Sequence, residues 1–550
     1  MGKTIGKVLA TEKNPSTMEE FYFWTNPELV LNPFDVVKVD HINNSTTYGA
    51  VEEISHITDT ANFLSDYISN DFGDVSVQPI THRIGMNYVK ARILGNTHGI
   101  YIPVLNSKPV CIAEKAEVRD ALGLANIQHP VPCGYLEMYQ GASKEEQVKL
   151  RVDVDARFLI GPEGAHLNIS GISGLAAKTS YAMFLLKGIQ DKCLKAEDLE
   201  DDEDVAFVLF NVKGRDLLAI DEPNEFDNAK EREETLELYK YLEMSPAPFK
   251  NVHYYYPYST KNCWNTYLDK ETVEHNISTN KAHMYKYEYK MDKDNLDLMF
   301  ASLDDPTQTM DAILSYIISG RGNFGYLESW TEFLNEVHKC GEAGSSKNGQ
   351  GSQEITVQSW RKFERIVKKS IYRNNMFDDI HDSNNETRVR EALGKIKKNE
   401  VHVIDIAKLN DDMQCFVFGD AVRAIYDLQL GQYSSDDDYA PPSKIVIFID
   451  ELNKYASSDT PKSSPILRQV LDIAERGRSL GVVLFGAEQF KSAIHQRVTG
   501  NCSTFAYGRT NSIELSKSDY RFVPSVYKSM MSRLKQGEYI IQNPVFNSLL

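Results

Sequence analysis

The chain has 550 residues, with 60 Lys and Arg against 78 Asp and Glu, a formal net charge of −18. That length exceeds what one hydrophobic core can serve and predicts two or three domains, while the acidic balance argues against a surface coated in nucleic acid and leaves room for a locally basic channel. With 42% hydrophobic and 25% charged residues, no apolar signal core in MGKTIGKVLATEKN and no run of the roughly 18–20 apolar residues that a membrane span needs, the chain reads as a cytoplasmic globular protein with no membrane partner.

In chain order, residues 1–153 carry short β-rich runs (TIGKVLA, FDVVKVD, YGAVEEI, NYVKARILG, KLRVDVD) parted by Gly, Pro and Asn, which predicts a small barrel or sandwich as a separate module. From residue 165 the rhythm changes. AHLNIS, VAFVLFNV, VHVIDI, KIVIFID, GVVLFGA and STFAYGR are near-continuous apolar strands with helical stretches between them, the pattern of an α/β sheet covered on both faces. These place an α/β core over 154–212 and 401–550. The acidic run EDLEDDED at 197–204 reads as a solvated loop.

The intervening 213–400 reads as a mostly helical insertion; in WRKFERIVKKSIY, for example, Phe363, Ile366, Val367 and Ile371 fall on one face. Within it GEAGSSKNGQGSQ, 341–353, is predicted to be a mobile loop, either a surface excursion or the lining of a substrate channel. Residues 361–398 hold eleven Lys and Arg against six Asp and Glu, the segment that suits a basic channel. Cys111, Cys133, Cys193, Cys263, Cys340, Cys415 and Cys502 form no C-x-x-C pair and read as reduced structural thiols.

Two stretches carry the chemistry. SGISGLAAKTS, 170–180, follows a strand and opens a helix. A tight small-residue turn there aims backbone N–H groups at an anion, with a Lys to balance charge and a hydroxyl for Mg²⁺. The turn offers Gly171, Ser173, Gly174 and Ala177, then Lys178, Thr179 and Ser180, as nucleotide-binding residues, but it departs from G-x-x-x-x-G-K-[ST]. Ala176 and Ala177 stand where glycine is usual, and alanine at positive φ costs about 1 kcal/mol. The second stretch, KIVIFIDELNKYA, ends a buried strand in Asp450, suited to Mg²⁺, and Glu451, suited to activating water. Gln489, after the next strand, is a candidate to meet a γ-phosphate. Arg509 is a candidate arginine finger acting across a subunit boundary, with Arg476 and Arg478 weaker candidates for the same work.

Taken in order, IGKVLA, FYFW, FDVVKVD and YGAVEEI, then VHVIDIAKLNDDMQCFVFGDAVRAIYDL, IFIDEL, AERGRSLGVVLFGAEQ, CSTFAYGRTN and LKQGEYIIQNPVFN, the sequence resembles the HerA branch of the HerA/FtsK hexameric ATPases from about Gly2 to the C-terminus. The resemblance implies a RecA-like P-loop NTPase core behind an N-terminal β-barrel, with ATP and Mg²⁺ as ligands. It further implies a homohexamer threading double-stranded DNA through a central pore, and a nuclease or sirtuin-like effector held by the barrel, as in antiphage systems. It maps Lys178 and Thr179 onto Walker A, Asp450 and Glu451 onto Walker B, Gln489 onto the sensor and Arg509 onto the trans-acting arginine. The loop is expected to be a variant that works. The competing expectation is a nucleotide-regulated scaffold that gates an effector without processive translocation; a packaging or conjugation motor is the remoter one.

Overall fold

The computed structural model of the chain describes all residues except 1–2, 61, 70–71, 73–75, 77–83, 173, 175–176, 196–203, 260–264, 302, 304, 306, 343–354, 373, 380–384 and 433–438. Most of the loop 341–353 and of the acidic run 197–204, together with Ser173, Ala176 and Cys263, thus lies outside the described residues. None of the described helices is long and apolar enough to cross a membrane.

Strands rich in β-branched and aromatic residues build the first unit. Strands β1 (Thr4–Val8), β2 (Glu20–Thr25), β3 (Val36–Asp40), β4 (Thr46–Thr58), β5 (Gly85–Asn96) and β6 (Pro109–Ile112) close into an antiparallel barrel in the order β1-β2-β5-β4-β3-β6. Its interior is filled by Ile5, Phe21, Phe23, Val37, Val39, Val51, Val89 and Val110, so it is a packed core rather than a channel. A hairpin of β7 (Pro130–Met138) and β8 (Val148–Asp155) follows. This unit comprises Met1–Asp155 together with Phe522–Met530 and Ile540–Leu550. Hydropathy alone groups that C-terminal stretch with the α/β core over 401–550. Its return is secured by contacts that hydropathy does not encode: the Tyr527 ring stands edge-on to Phe34 at 4.2 Å, and the Asn547 amide donates to the Ala121 carbonyl at 2.9 Å.

The second unit, Ala156–Arg521 with Met531–Tyr539, is built on a parallel sheet. Its strands are β9 (Leu167–Ser170), β10 (Val205–Asn211), β11 (Val252–Pro257), β12 (Ala282–Tyr285), β13 (Glu386–Thr387), β14 (Val401–Asp405), β15 (Lys444–Asp450), β16 (Val482–Glu488) and β17 (Thr504–Tyr507). They lie in the order β13-β12-β11-β14-β10-β15-β16-β9-β17. Every residue of β10, β14 and β16 is buried, as strands covered on both faces require. The segment 213–400 is therefore not only helical: β11, β12 and β13 extend the sheet beyond β14. Four tyrosines and two histidines in VHYYYP and AHMY hide this, because neither run is apolar enough to read as a buried strand.

The helix Pro465–Leu480 ends at Gly481, whose φ of 71° lets the chain reverse directly into β16. A Cβ there would fall 1.9 Å from the Ser443 carbonyl oxygen. Gly481→Ala is expected to lower the free energy of unfolding by at least about 2 kcal/mol, the left-handed penalty plus a backbone clash, measurable by denaturant melting.

Candidate functional site

The ends of β9, β15 and β16 bring the reactive side chains together, because parallel strands deliver their C-terminal residues to one edge of the sheet. One strand, β16, separates β9, which leads into the small-residue loop, from β15, which ends in Asp450. Register sets Ser170 opposite Glu488 and Asp450 opposite Ala487. The loop leaves the sheet tied on both sides: the amide of Gly171 donates to the Glu488 carbonyl at 3.2 Å, and that of Ile172 to the Arg509 carbonyl at 2.9 Å. Gly174 (φ 80°) and Ala177 (φ 46°) then take left-handed backbone, and the helix Lys178–Lys195 begins.

Ala177 thus adopts the conformation that glycine would adopt freely. Ala177→Gly is expected to raise the free energy of unfolding by about 1 kcal/mol, opposite in sign to an ordinary Ala→Gly change, and thermal unfolding would register it.

At the helix start Lys178 is buried, 6% exposed, and its ammonium donates to the Gly171 carbonyl at 3.0 Å. Burial lowers its pKa, against the pull of Asp450, Glu488 and Glu451. The Thr179 hydroxyl donates to Asp450 Oδ2 at 3.1 Å. Glu451 sits at φ 58°, a left-handed position uncommon for a side chain of its size. Its amide donates to Asp450 Oδ1 at 2.9 Å and its carboxylate pairs with Lys454 at 3.0 Å. Lys178, Thr179, Asp450 and Glu451, far apart in sequence, converge here. Ser180 and Gly174 are exposed, and Gly171 is buried.

Gln489 lies exposed one residue past the end of β16, while its neighbour Glu488 is 1% exposed beside the loop. Burial, with Asp450 adding in the same direction, raises the Glu488 carboxyl well above its usual range despite Lys178 and Lys491. Arg509 is half-buried in the turn after β17; Arg476 and Arg478 are exposed, and Arg478 donates to the Glu163 carbonyl at 3.2 Å.

Lys213, two residues beyond β10, places its ammonium 2.8 Å from Asp450 Oδ2. Burial works against that ammonium, but the Asp450 carboxylate outweighs it and its pKa is raised. Sequence reasoning missed Lys213 and Glu488. The signal available was position: each closes or just overruns a buried strand of the same sheet, as Asp450 does.

Beside these groups lies a cavity of about 770 Å³. Lys178, Thr179, Lys213 and Asp450 supply polar lining; Phe184, Tyr239, Pro246 and Phe249 supply apolar lining. The stretch 244–250, from the insertion, is held against the helix Lys178–Lys195. Its Ser245 amide donates to Asp191 at 3.1 Å, and Gln190 exchanges hydrogen bonds with the Lys250 backbone at 2.8 and 3.2 Å. A cavity of that size, with a lysine, a hydroxyl and a carboxylate at a helix N-terminus, fits a nucleoside triphosphate and its Mg²⁺.

Part of the charge of the basic stretch 361–398 is paired within the fold. Arg388 pairs with Asp292, Arg390 with Asp427 and Lys368 with Glu364, while Arg361 donates to the Gly341 carbonyl.

Sheet order, loop and strand-end carboxylates together define a RecA-like P-loop NTPase core. No protein-family model matches the sequence, and none of the curated proteins does. Among solved structures the chain is similar to the bacterial conjugative coupling protein TrwBdeltaN70, with 12% identity over 69% of this chain and 82% of that one and a TM-score of 0.37. It is similar to the plasmid coupling protein TrwB in complex with ADP and Mg²⁺, with 11% identity over the same shares and a TM-score of 0.38. It is also similar to the genome packaging NTPase B204 from Sulfolobus turreted icosahedral virus 2, with 16% identity over 29% of this chain and 68% of that one and a TM-score of 0.21. The fold assignment rests on the strand order and the loop.

Proposed function

We propose that this protein is a Mg²⁺-dependent ATPase of the HerA kind, a homohexamer that moves double-stranded DNA through its pore for an effector held by the N-terminal barrel. The observation that carries the reading is the convergence of Lys178, Thr179 and Asp450 at one loop–helix junction, with Glu451 next in the chain. In this reading Lys178 and the amides of Ser173, Gly174, Ala177 and Ser180 bind the β- and γ-phosphates, while Gly171, its amide held by the Glu488 carbonyl, supplies the turn that carries the loop to them. Thr179 and Asp450 would hold Mg²⁺, which supplies charge neutralisation on the phosphate oxygens. Glu451 orients and deprotonates the attacking water, Gln489 meets the γ-phosphate, and Arg509 of a neighbouring copy stabilises the charge that develops in transfer. The apolar lining around Phe184 and Tyr239 receives the base. The effector, a nuclease or sirtuin-like enzyme in an antiphage setting, belongs to the same proposal through the sequence resemblance, and a cytoplasmic location is proposed with it.

A second reading, a nucleotide-regulated scaffold, is favoured by one contact: Lys213 competes for the Asp450 oxygen that would face Mg²⁺. Steady-state hydrolysis of ATP by the purified protein, with and without linear duplex DNA, separates the two. Turnover raised severalfold by DNA supports the motor. Nucleotide binding with turnover indifferent to DNA supports the scaffold, and absence of nucleotide binding removes both.

A further inference from the structure

At the opposite edge of the same sheet a second cluster of side chains has no part in nucleotide chemistry. His253, the second residue of β11, pairs in register with His402, the second residue of β14. Glu400 lies two residues before His402, so its side chain rises from the same face. The three offer one ligand atom each within 4.8 Å of one another. His402 Nε2 stands 3.1 Å from Glu400 Oε2, and His253 Nε2 stands 3.7 Å from Glu400 Oε1.

We propose that His253, His402 and Glu400 bind a zinc ion that staples β11 to β14. Two imidazoles and a carboxylate form a donor set suited to Zn²⁺, which takes nitrogen and oxygen ligands at about 2.0–2.2 Å in tetrahedral array. Ligand atoms in such an array stand about 3.3 Å apart; His402 Nε2 is near that spacing from one Glu400 oxygen, Oε2, and His253 Nε2 is 3.7 Å from the other, Oε1, so the carboxylate bridges the two imidazoles. The remaining approach falls to His253, the half-exposed member, by ring rotation; the same exposure lets water fill the fourth position.

The groups behind the ligands are also in place. The Tyr255 hydroxyl meets His402 Nδ1 at 3.0 Å, fixing the ring so that Nε2 faces the cluster, and the Lys397 amide donates to Glu400 Oε2 at 2.8 Å, leaving Oε1 toward His253. Outer partners of this kind hold metal ligands in position. A purely hydrogen-bonded trio would use His253 poorly, since 3.7 Å from Glu400 is too long for a hydrogen bond.

The test is calorimetric titration of chelator-treated full-length protein with Zn²⁺, repeated with Asp450→Asn so that uptake at the nucleotide site is counted separately. One equivalent is expected to persist in Asp450→Asn and in His283→Ala, the latter removing the histidine of β12 whose ring lies 6.1 Å from that of Tyr255 but which is not one of the three ligands. It should weaken at least tenfold in His253→Ala and in Glu400→Gln, each of which should unfold like the parent in chelator. Tyr255→Phe should weaken it to a lesser degree. Zinc X-ray absorption on the unmutated protein provides a readout that needs no variant, with imidazole scattering expected. No uptake, uptake insensitive to His253→Ala and Glu400→Gln, or absorption without imidazole scattering would overturn the site.

Discussion

Glu451→Gln is expected to leave ATP binding within about twofold and to reduce steady-state hydrolysis by at least about 10²-fold, the usual scale for removing a general base. Glutamine keeps the shape of the side chain and can still hydrogen bond, but it cannot accept the proton of the attacking water. Binding should survive because the contacts assigned to the phosphates come from Lys178 and the loop, whereas Glu451 stands beyond Asp450. Its carboxylate is positioned twice over: by the left-handed backbone at φ 58° and by Lys454, itself held by Asp411 at 3.2 Å and Gln414 at 3.4 Å. Glu488, the other carboxyl near the loop, is a poor substitute because burial favours its protonated form. Parallel measurements of nucleotide binding and turnover check the prediction. Undiminished turnover in the variant would remove the base role from Glu451.

Asp420→Asn is expected to stabilise the protein at pH 8 by a few kcal/mol and to add little near pH 4. Asp420 is fully buried in the helix Asp411–Gln429, where the Asn295 amide donates to it at 2.7 Å. Burial first, and then Asp292, push its carboxyl up to about 7, against Arg390 and Arg388. An aspartate in the unfolded chain titrates near 4, so between about pH 4 and pH 7 the folded state keeps a proton that the unfolded state has lost. Stability therefore falls as pH rises through that window and levels off above it. Asparagine keeps an acceptor for Asn295 and never ionises, which removes the penalty. Thermal unfolding of parent and variant at pH 4, 6 and 8 measures the difference; equal gains at all three would show that ionisation is not its source.

The sequence made most of the sheet legible and hid the side formed by β11, β12 and β13, for one physical reason. A strand covered on both faces must be apolar along its whole length, as VAFVLFN and KIVIFID are, and such runs have few other interpretations. Toward the edge that demand relaxes. VHYYYP tolerates ring hydroxyls and imidazoles that find partners, such as the Tyr254 hydroxyl on Asp221 at 2.5 Å, while Glu386–Thr387 is too short for any periodicity.

The site divides in the same way. Lys178, Thr179, Asp450 and Glu451 could be read because a charge straight after a small-residue turn or an apolar run is conspicuous. Glu488 and Gln489 are adjacent at the end of an all-buried strand, where nothing in the pattern tells which one stays inside; the strand's last ladder position, opposite Ser170, decides for Glu488. Lys213 required knowing that β10 lies beside β15, which is a fact of strand order rather than of local pattern. For 361–398 the limit is complementary: composition counts ionic groups but cannot see the carboxylates that meet some of them, as at Lys368, Arg388 and Arg390.

The hydrogen bond from Ile172 to the Arg509 carbonyl links the phosphate loop to the chain segment assigned to reach into an adjoining copy. Because one carbonyl serves both, any displacement of the turn after β17 is felt at the loop through a single hydrogen bond. Under the proposed assembly, that bond would make the loop of each copy responsive to the nucleotide its Arg509 meets next door.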